Sequence, residues 1–132
     1  MTIMEIYFNG GKQVFADVKG FTVKTDQSPK EGGEGLYPEP FTLFLASLGT
    51  CAGIYVKGFC DKRGIDTAHI RLIQESVYDS VKRIMGTIKL TIFVPKDFPE
   101  KYENAAMQAA SLCPVKRHLS DAVHLEVRIV RE

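Results

Sequence analysis

The sequence predicts an α+β domain in which antiparallel β-sheets pack around one long central helix. Short apolar runs separated by turn residues occupy the first 25 positions, and a stretch without any charge spans residues 41–56. Behind that stretch, two strand patterns, a helical pattern and a last strand pattern follow in order. A chain of 132 residues is the size of one domain, so we assign residues 1–132 to a single domain.

The N-terminal segment, residues 2–26, reads as a β-meander of two or three antiparallel strands. Its apolar runs are broken at Asn9-Gly10-Gly11 and at Lys19-Gly20, and Asn-Gly between apolar runs is a strong hairpin signal. Residues 26–36 are polar and glycine-rich, which is typical of a loop. The Gly-Gly-Glu-Gly run in this loop lacks the Lys-Ser/Thr ending of a phosphate-binding loop.

A long helix is predicted from Pro38 to about Lys62. Prolines suit its first turn, and Lys62, Arg63 and Gly64 suit its end. Its three internal glycines, at 49, 53 and 58, disfavour a helix and predict close approach of another backbone. Because this helix is apolar on nearly every side, it should be buried all round. A chain this short has difficulty covering it alone, so we expect an intertwined homodimer.

The remaining chain predicts a β-hairpin, a helix and a strand. Residues 69–80 and 83–95 are rich in β-branched side chains and flank a turn. Residues 99–113 carry apolar side chains at three- and four-residue spacing, which indicates an amphipathic helix. Residues 122–132 alternate apolar and polar side chains, as a half-buried strand does.

Composition and charge exclude several classes of function. The net charge is +1 with both signs interleaved, so no nucleic-acid or anionic-membrane partner is indicated. No secretory signal pattern is present, and we expect a cytoplasmic protein without a membrane span. Three cysteines without a Cys-x-x-Cys pair or nearby histidines predict no disulfide framework and no metal site. No cofactor is indicated either.

The cysteines can be ranked by their predicted positions. Cys51 and Cys60 lie nine residues apart on one helix, about 13–14 Å along its axis and half a turn out of phase, so they cannot pair. Cys113 precedes Pro114, which places it at the N-terminal edge of a helical turn, where free N–H groups favour a thiolate. If two cysteines act together, Cys51 and Cys113 are the expected pair, and Cys60 is expected to be a packed side chain.

Two segments carry a family resemblance. The run PEPFTLFLASLGTCAG, which contains Cys51, and the run CPVKRHL, which begins with Cys113, together resemble the OsmC/Ohr family of thiol-based hydroperoxide reductases. The resemblance extends over most of the chain through the order of strands and helices. It implies an α+β fold, an intertwined homodimer with active sites at the subunit interface, Cys51 as the peroxidatic thiol and Cys113 as the resolving thiol.

The leading interpretation is therefore a thiol-dependent hydroperoxide reductase. It would act on organic hydroperoxides in the oxidative stress response, and a dithiol or thioredoxin-like protein would reduce its disulfide. An apolar pocket would be lined by side chains around Cys51, and a nearby charged side chain would stabilise the thiolate. The pocket candidates are Phe41, Thr42, Phe44, Leu48 and Tyr55. The stabilising candidates are Lys116, Arg117 and Glu39.

Two departures from the family pattern keep a second interpretation open. The family's peroxidases carry a glutamate nine or ten residues before the first cysteine, where this chain has Thr42 and Phe41. They also use an arginine from the N-terminal part of the chain, whereas the first arginine here is Arg63. The alternative is a non-catalytic protein that binds an apolar ligand in an interfacial pocket or senses oxidation.

Overall fold

The computed structural model describes residues 2–119 and 124–132, without the side chains of Arg117, His124 and Leu125. The chain divides into two compact units, Met1–Ala46 and Ser47–Glu132. The first unit contains β1 (Glu5–Phe8), β2 (Val14–Val18), β3 (Phe21–Thr25) and the start of α1 (Pro40–Asp61). The second unit contains the rest of α1 and five further elements. These are β4 (Arg71–Asp79), β5 (Ile84–Val94), α2 (Glu103–Ser111), α3 (Pro114–Arg117) and β6 (His124–Arg131).

The first unit is built on the predicted meander, in which β1, β2 and β3 pair antiparallel in chain order. The turns between the strands place Gly10, Gly11 and Gly20 at positive φ, where glycine carries no steric penalty. Phe15 on β2 is buried and meets the ring of Tyr37 edge-on, with centroids 5.5 Å apart. One face of this sheet is therefore packed within its own unit.

The loop after β3 is organised by a buried carboxylate. Asp26 accepts a hydrogen bond from the backbone N–H of Gln27 at 2.7 Å and another from that of Leu36 at 3.2 Å. Gly33 lies so close to this turn that a Cβ there would stand 2.1 Å from the carbonyl oxygen of Gln27. Asp26 thus closes the polar, glycine-rich loop that the sequence predicts.

In the second unit, β5 is the central strand of a three-stranded sheet. Its antiparallel partner is β4, as the predicted hairpin requires, but β6 runs parallel to β5. Four apolar side chains of β5 form the centre of the core, since they are buried almost completely. They are Ile88, Leu90, Ile92 and Val94. The α+β class with antiparallel sheets and a long helix is confirmed, and β6 adds one parallel pair.

Helix α1 begins within two residues of its predicted start and ends one residue before its predicted end. Four side chains at four-residue spacing are buried, and they form a stripe rather than a fully covered surface. They are Leu48, Ala52, Val56 and Cys60. Ile54, on another side of the helix, is 62% exposed. Within one chain, α1 is therefore buried along one side and not all round.

By length and composition α1 could also cross a membrane, since its mean hydropathy reaches 1.5 over 18 residues. The long core helix of a soluble protein meets the same criteria, and α1 carries a buried stripe of that kind. The observation therefore gives only weak evidence for a membrane span.

Candidate functional site

The candidate site is the pair of thiols that α1 and α2 bring together in the second unit. Cys51 lies in the middle of α1 and is half-buried, whereas Cys113 lies two residues after the end of α2 and is completely buried. Cys51 lies close enough to the Cys113 side chain to interact with it, and both are free thiols. The residues expected to act as a pair are thus neighbours, although 62 positions separate them in the sequence.

Helix α1 is positioned against β4 by the absence of a side chain at Gly49. A Cβ at this position would lie 2.6 Å from Oε1 of Gln74 on β4, well inside van der Waals contact. The sequence predicted close approach of another backbone, but the neighbour is a side chain. No described atom lies within 4 Å of a Cβ built at Gly53 or Gly58. Gly49, two residues before Cys51, therefore leaves room for the Gln74 side chain between α1 and β4.

Helix α2 is anchored at its start by Arg131 of β6. The guanidinium group donates a hydrogen bond to Glu103 at 2.5 Å and two more to the carbonyl oxygens of Pro95 and Lys96. The ring of Tyr102 meets Phe59 of α1 edge-on, with centroids 6.0 Å apart. These contacts hold α2 beside α1, and Cys113 emerges at the end of α2 next to Cys51.

Cys113 is the N-cap residue of the short helix α3, as the Cys-Pro dipeptide predicts. Its φ and ψ angles are −60° and 140°, and its sulfur accepts a hydrogen bond from the backbone N–H of Lys116 at 3.4 Å. Pro114 occupies the first helical position, where its missing N–H leaves no unpaired donor. The cap fixes the direction in which the Cys113 sulfur points.

The electrostatics of Cys113 favour the neutral thiol. Burial raises the pKa of Cys113, and the adjacent Cys51 side chain raises it further. The backbone N–H groups of Lys116 and Val115 lower this pKa, but they do not outweigh burial. The expectation that the helix edge makes Cys113 a thiolate is therefore wrong. A neutral thiol suits a side chain that donates its proton toward a neighbouring sulfur.

Cys60 has no part in this pair. It is the last member of the buried stripe of α1, and burial raises the pKa of its thiol. The nearby carboxylate of Asp61 adds to the increase, whereas Lys57 and Arg63 oppose it. This environment agrees with the prediction of a packed side chain.

The other residues predicted for the site make contacts of different kinds. Glu39, in the first unit, accepts a hydrogen bond from the backbone N–H of Ser28 at 3.2 Å, so its carboxylate holds the loop that ends before α1. Lys116 contacts Cys113 through its backbone N–H. The side chain of Arg117 lies outside the described part of the structure.

The predicted pocket-lining side chains also separate. Phe41 and Phe44 are exposed on the first turns of α1 and stack with their rings 5.5 Å apart, and Thr42 is exposed beside them. Leu48 is completely buried in the core stripe. Tyr55 is half-buried and lines a groove in the second unit.

That groove, which the sequence did not reveal, lies between α1 and the end of α2. Its volume is about 510 Å³, and eight residues line it. They are Ile54, Tyr55, Gly58, Phe59, Lys62, Arg63, Ala109 and Leu112. The signal available in the sequence was the four-residue spacing of Ile54, Gly58 and Lys62, which places them on one side of a helix.

No metal-binding cluster of three or more histidine, cysteine or acidic side chains occurs among residues 2–119 and 124–132. Two neighbouring thiols, one on a helix and one on a cap, are a pair that an oxidant can join as a disulfide.

Comparisons with known proteins identify the family of the chain. The profile of the OsmC-like protein family matches residues 32–128, and the chain belongs to this family. Comparison with curated proteins gives no match.

Solved structures show the same fold over the whole chain. An OsmC-like protein from Mycoplasma pneumoniae superimposes with a TM-score of 0.78 at 13% identity, covering 99% of this chain and 96% of that one. An organic hydroperoxide resistance protein OsmC from Legionella pneumophila gives 0.69 at 16% identity, covering 98% and 96%. An organic hydroperoxide resistance protein from Elizabethkingia anophelis gives 0.69 at 13% identity, with coverage of 98% and 96%.

Proposed function

We propose that the protein is a thiol-dependent hydroperoxide reductase that prefers organic hydroperoxides. The contact between the Cys51 and Cys113 side chains is the observation that carries the proposal. Family membership supports it, as does the fold shared with two proteins named for organic hydroperoxide resistance.

The division of labour between the thiols follows from their surroundings. Cys51 is the less buried of the two and is the sulfur that a substrate reaches first. As a thiolate it attacks the terminal peroxide oxygen, the O–O bond breaks, and the alkoxide takes a proton and leaves as an alcohol. Cys51 is then a sulfenic acid. The protonated sulfur of Cys113 already lies against it.

The second step closes the disulfide and loses water. The sulfur of Cys113 displaces hydroxide from the Cys51 sulfenic acid, and the Cys113 proton leaves with that oxygen as water. The peroxide has then taken two electrons from the two thiols. An external dithiol or thioredoxin-like protein returns them by thiol–disulfide exchange and restores both thiols.

Serine variants at the three cysteines test the proposal. With cumene hydroperoxide and dithiothreitol, Cys51→Ser should fall to the uncatalysed rate, and Cys60→Ser, the matched control, should retain turnover. Without dithiothreitol, Cys113→Ser should react once and accumulate a sulfenic acid that dimedone traps. Unchanged turnover in Cys51→Ser would disprove the proposal.

Mass spectrometry after one equivalent of hydroperoxide distinguishes the alternative, a non-catalytic binding or redox-sensing protein. A peptide pair linked through Cys51 and Cys113 supports the reductase. Thiols that stay free under the same treatment support the non-catalytic binding protein. The observation that favours this alternative is the hydrogen bond from the backbone N–H of Ser28 to Glu39, which engages that carboxylate within the first unit.

We further infer that the working protein is a homodimer. Ile54 and Leu112 are 62% and 61% exposed, and the first sheet also presents bare apolar side chains. Apolar surface of this extent marks an interface in a soluble protein.

A further inference from the structure

The two thiols of the candidate pair differ in how far solvent can reach them. Cys113 is completely buried, whereas Cys51 is half-buried. The proposed function joins them in a disulfide, which a dithiol must then open from outside. We propose that the reductant attacks the sulfur of Cys51 and that Cys113 is the leaving sulfur. This inference rests on the proposed function and adds the point of attack to it.

Access to the two sulfurs decides the point of attack. In thiol–disulfide exchange the incoming thiolate must reach the sulfur that it attacks. The described residues of this chain already cover Cys113 completely, and a second subunit can only add to that cover. The hydroperoxide of the proposed function must itself reach Cys51, and a small dithiol can take the same route.

The backbone after Cys113 stabilises the charge that a leaving sulfur acquires. The N–H of Lys116 donates a hydrogen bond to this sulfur at 3.4 Å, and the N–H of Val115 also lowers the pKa of Cys113. Hydrogen bonds to an ionised acceptor are stronger than hydrogen bonds to a neutral one. Both donors therefore stabilise the departing thiolate of Cys113 more than they stabilise its sulfur in the disulfide.

One effect opposes this direction of cleavage. Burial raises the pKa of Cys113, and a thiol with a higher pKa leaves a disulfide more slowly. Access outweighs this effect, because a poorer leaving group slows the attack whereas complete cover prevents it. After cleavage the raised pKa is an advantage, since a protonated Cys113 is a weak nucleophile and does not expel the reductant from Cys51.

The complete reduction takes two exchange steps. One thiolate of the dithiol bonds to the Cys51 sulfur, the bond to Cys113 breaks, and Cys113 keeps that electron pair and takes up a proton. The second thiol of the dithiol, as a thiolate, then displaces Cys51 from this mixed disulfide. Cys51 leaves as a thiolate, and the dithiol has given up two electrons and become a disulfide.

Peptide mapping of the mixed disulfide tests the point of attack. One equivalent of diamide, which joins thiols without a peroxidase step, prepares the disulfide between Cys51 and Cys113. A short pulse of mercaptoethanol, which has no second thiol to complete the reduction quickly, is then stopped with N-ethylmaleimide. Mercaptoethanol on Cys51 with maleimide on Cys113 should exceed the reverse pattern by about tenfold or more, as access requires. Equal amounts, the reverse pattern, or no disulfide after diamide would overturn the proposal.

Single-thiol variants test the access argument in the reduced protein. Cys60→Ala/Cys113→Ser retains only Cys51, and Cys60→Ala/Cys51→Ser, its matched counterpart, retains only Cys113. Dithiodipyridine should label the Cys51 protein faster by about tenfold or more, and in urea the two proteins should react alike. A folded protein whose Cys113 reacts as fast as Cys51 would contradict the proposal.

Hydroperoxide turnover of the wild type separates this inference from the reductase activity. If diamide-treated protein carries mercaptoethanol on Cys51 but no hydroperoxide is turned over, the point of attack is supported and the reductase is refuted. If hydroperoxide is turned over but mercaptoethanol is found on Cys113, the reductase is supported and the point of attack is refuted.

Discussion

Three thiols of the same chemical type occupy three different environments here. Cys51 is half-buried, whereas Cys60 and Cys113 are fully buried and have raised pKa values, in each case chiefly because of burial. Cys113 differs from Cys60 in having a sulfur neighbour and a backbone cap. The surroundings of each thiol should therefore decide its reactivity, since a buried cysteine with only a packing role is inert.

Cys60 should make stability fall at alkaline pH. Burial raises the pKa of this thiol in the folded state. Its contribution to the free energy of unfolding is therefore full below the unfolded-state pKa of about 8.5 and is lost as the pH rises toward the folded-state pKa. The free energy of unfolding should decline above about pH 8.5 by up to about 1.4 kcal/mol per pH unit for this thiol. Urea unfolding of wild type and Cys60→Ala at pH 7.5 and pH 10 measures it.

The Cys60→Ala variant should be less stable at neutral pH by roughly 1 kcal/mol, because a buried atom is lost. It should also lose less stability than the wild type between the two pH values. If the free energy of unfolding changed equally in the two proteins between pH 7.5 and pH 10, the pKa of Cys60 would not be raised by folding, and this prediction would be wrong.

At the scale of elements, α1 shows what sequence pattern predicts well and what it does not. The two ends of α1 were predictable from local signals, which are prolines at the start and basic residues with Gly64 at the end. The buried side of α1 was not predictable, because an uncharged segment is apolar on every side. The contact between Gly49 and Gln74 also needed the fold, since 25 residues separate them.

The same distinction applies to the strands and the site. The hairpin of β4 and β5 was predictable because a short turn dictates antiparallel pairing. The parallel pairing of β6 was not, because it depends on where the chain returns after α2. The thiol pair was predictable through two short motifs, whereas the groove requires side chains from both α1 and α2.

Gly49→Ala should cost a little stability, and shortening Gln74 should remove that cost. The new Cβ would stand 2.6 Å from Oε1 of Gln74, but this oxygen ends a flexible side chain that can turn away, so the cost should stay near the low end of the about 1–3 kcal/mol typical of overpacking. Gly58→Ala meets nothing within 4 Å in the chain and should gain up to about 1 kcal/mol from helix propensity. Chemical unfolding of both variants measures the difference.

The double variant Gly49→Ala/Gln74→Ala is the control for this contact. The penalty of Gly49→Ala should disappear in the Gln74→Ala background, since the oxygen that it meets is gone. A penalty that persists there would assign the effect to some other contact of α1.

At the scale of the whole molecule, the first sheet has one face that its own chain leaves bare. The strand register places Ile6, Ala16 and Val23 directly opposite one another, and pairs Phe8 with Val14 and Val18 with Phe21. Directly opposed residues share a face, so this face is apolar except at Thr25, which lies opposite Val14 at the edge of the sheet and is buried. The opposite face carries the packed Phe15 ring. A sheet with one packed face and one bare apolar face needs a further partner in water.

We expect that partner to be a second copy of the chain, and the bare face to be part of the dimer contact. Sedimentation equilibrium should give twice the chain mass of 14.7 kDa. Phe8→Ser/Phe21→Ser, at side chains that are 85% and 73% exposed, should shift the protein toward monomer. Val81→Ser, at a 91% exposed side chain on the β4–β5 turn, is the matched control and should stay dimeric. A wild-type chain that sediments as a monomer throughout the micromolar range would refute the dimer, because burial of several large side chains should hold two copies together at those concentrations.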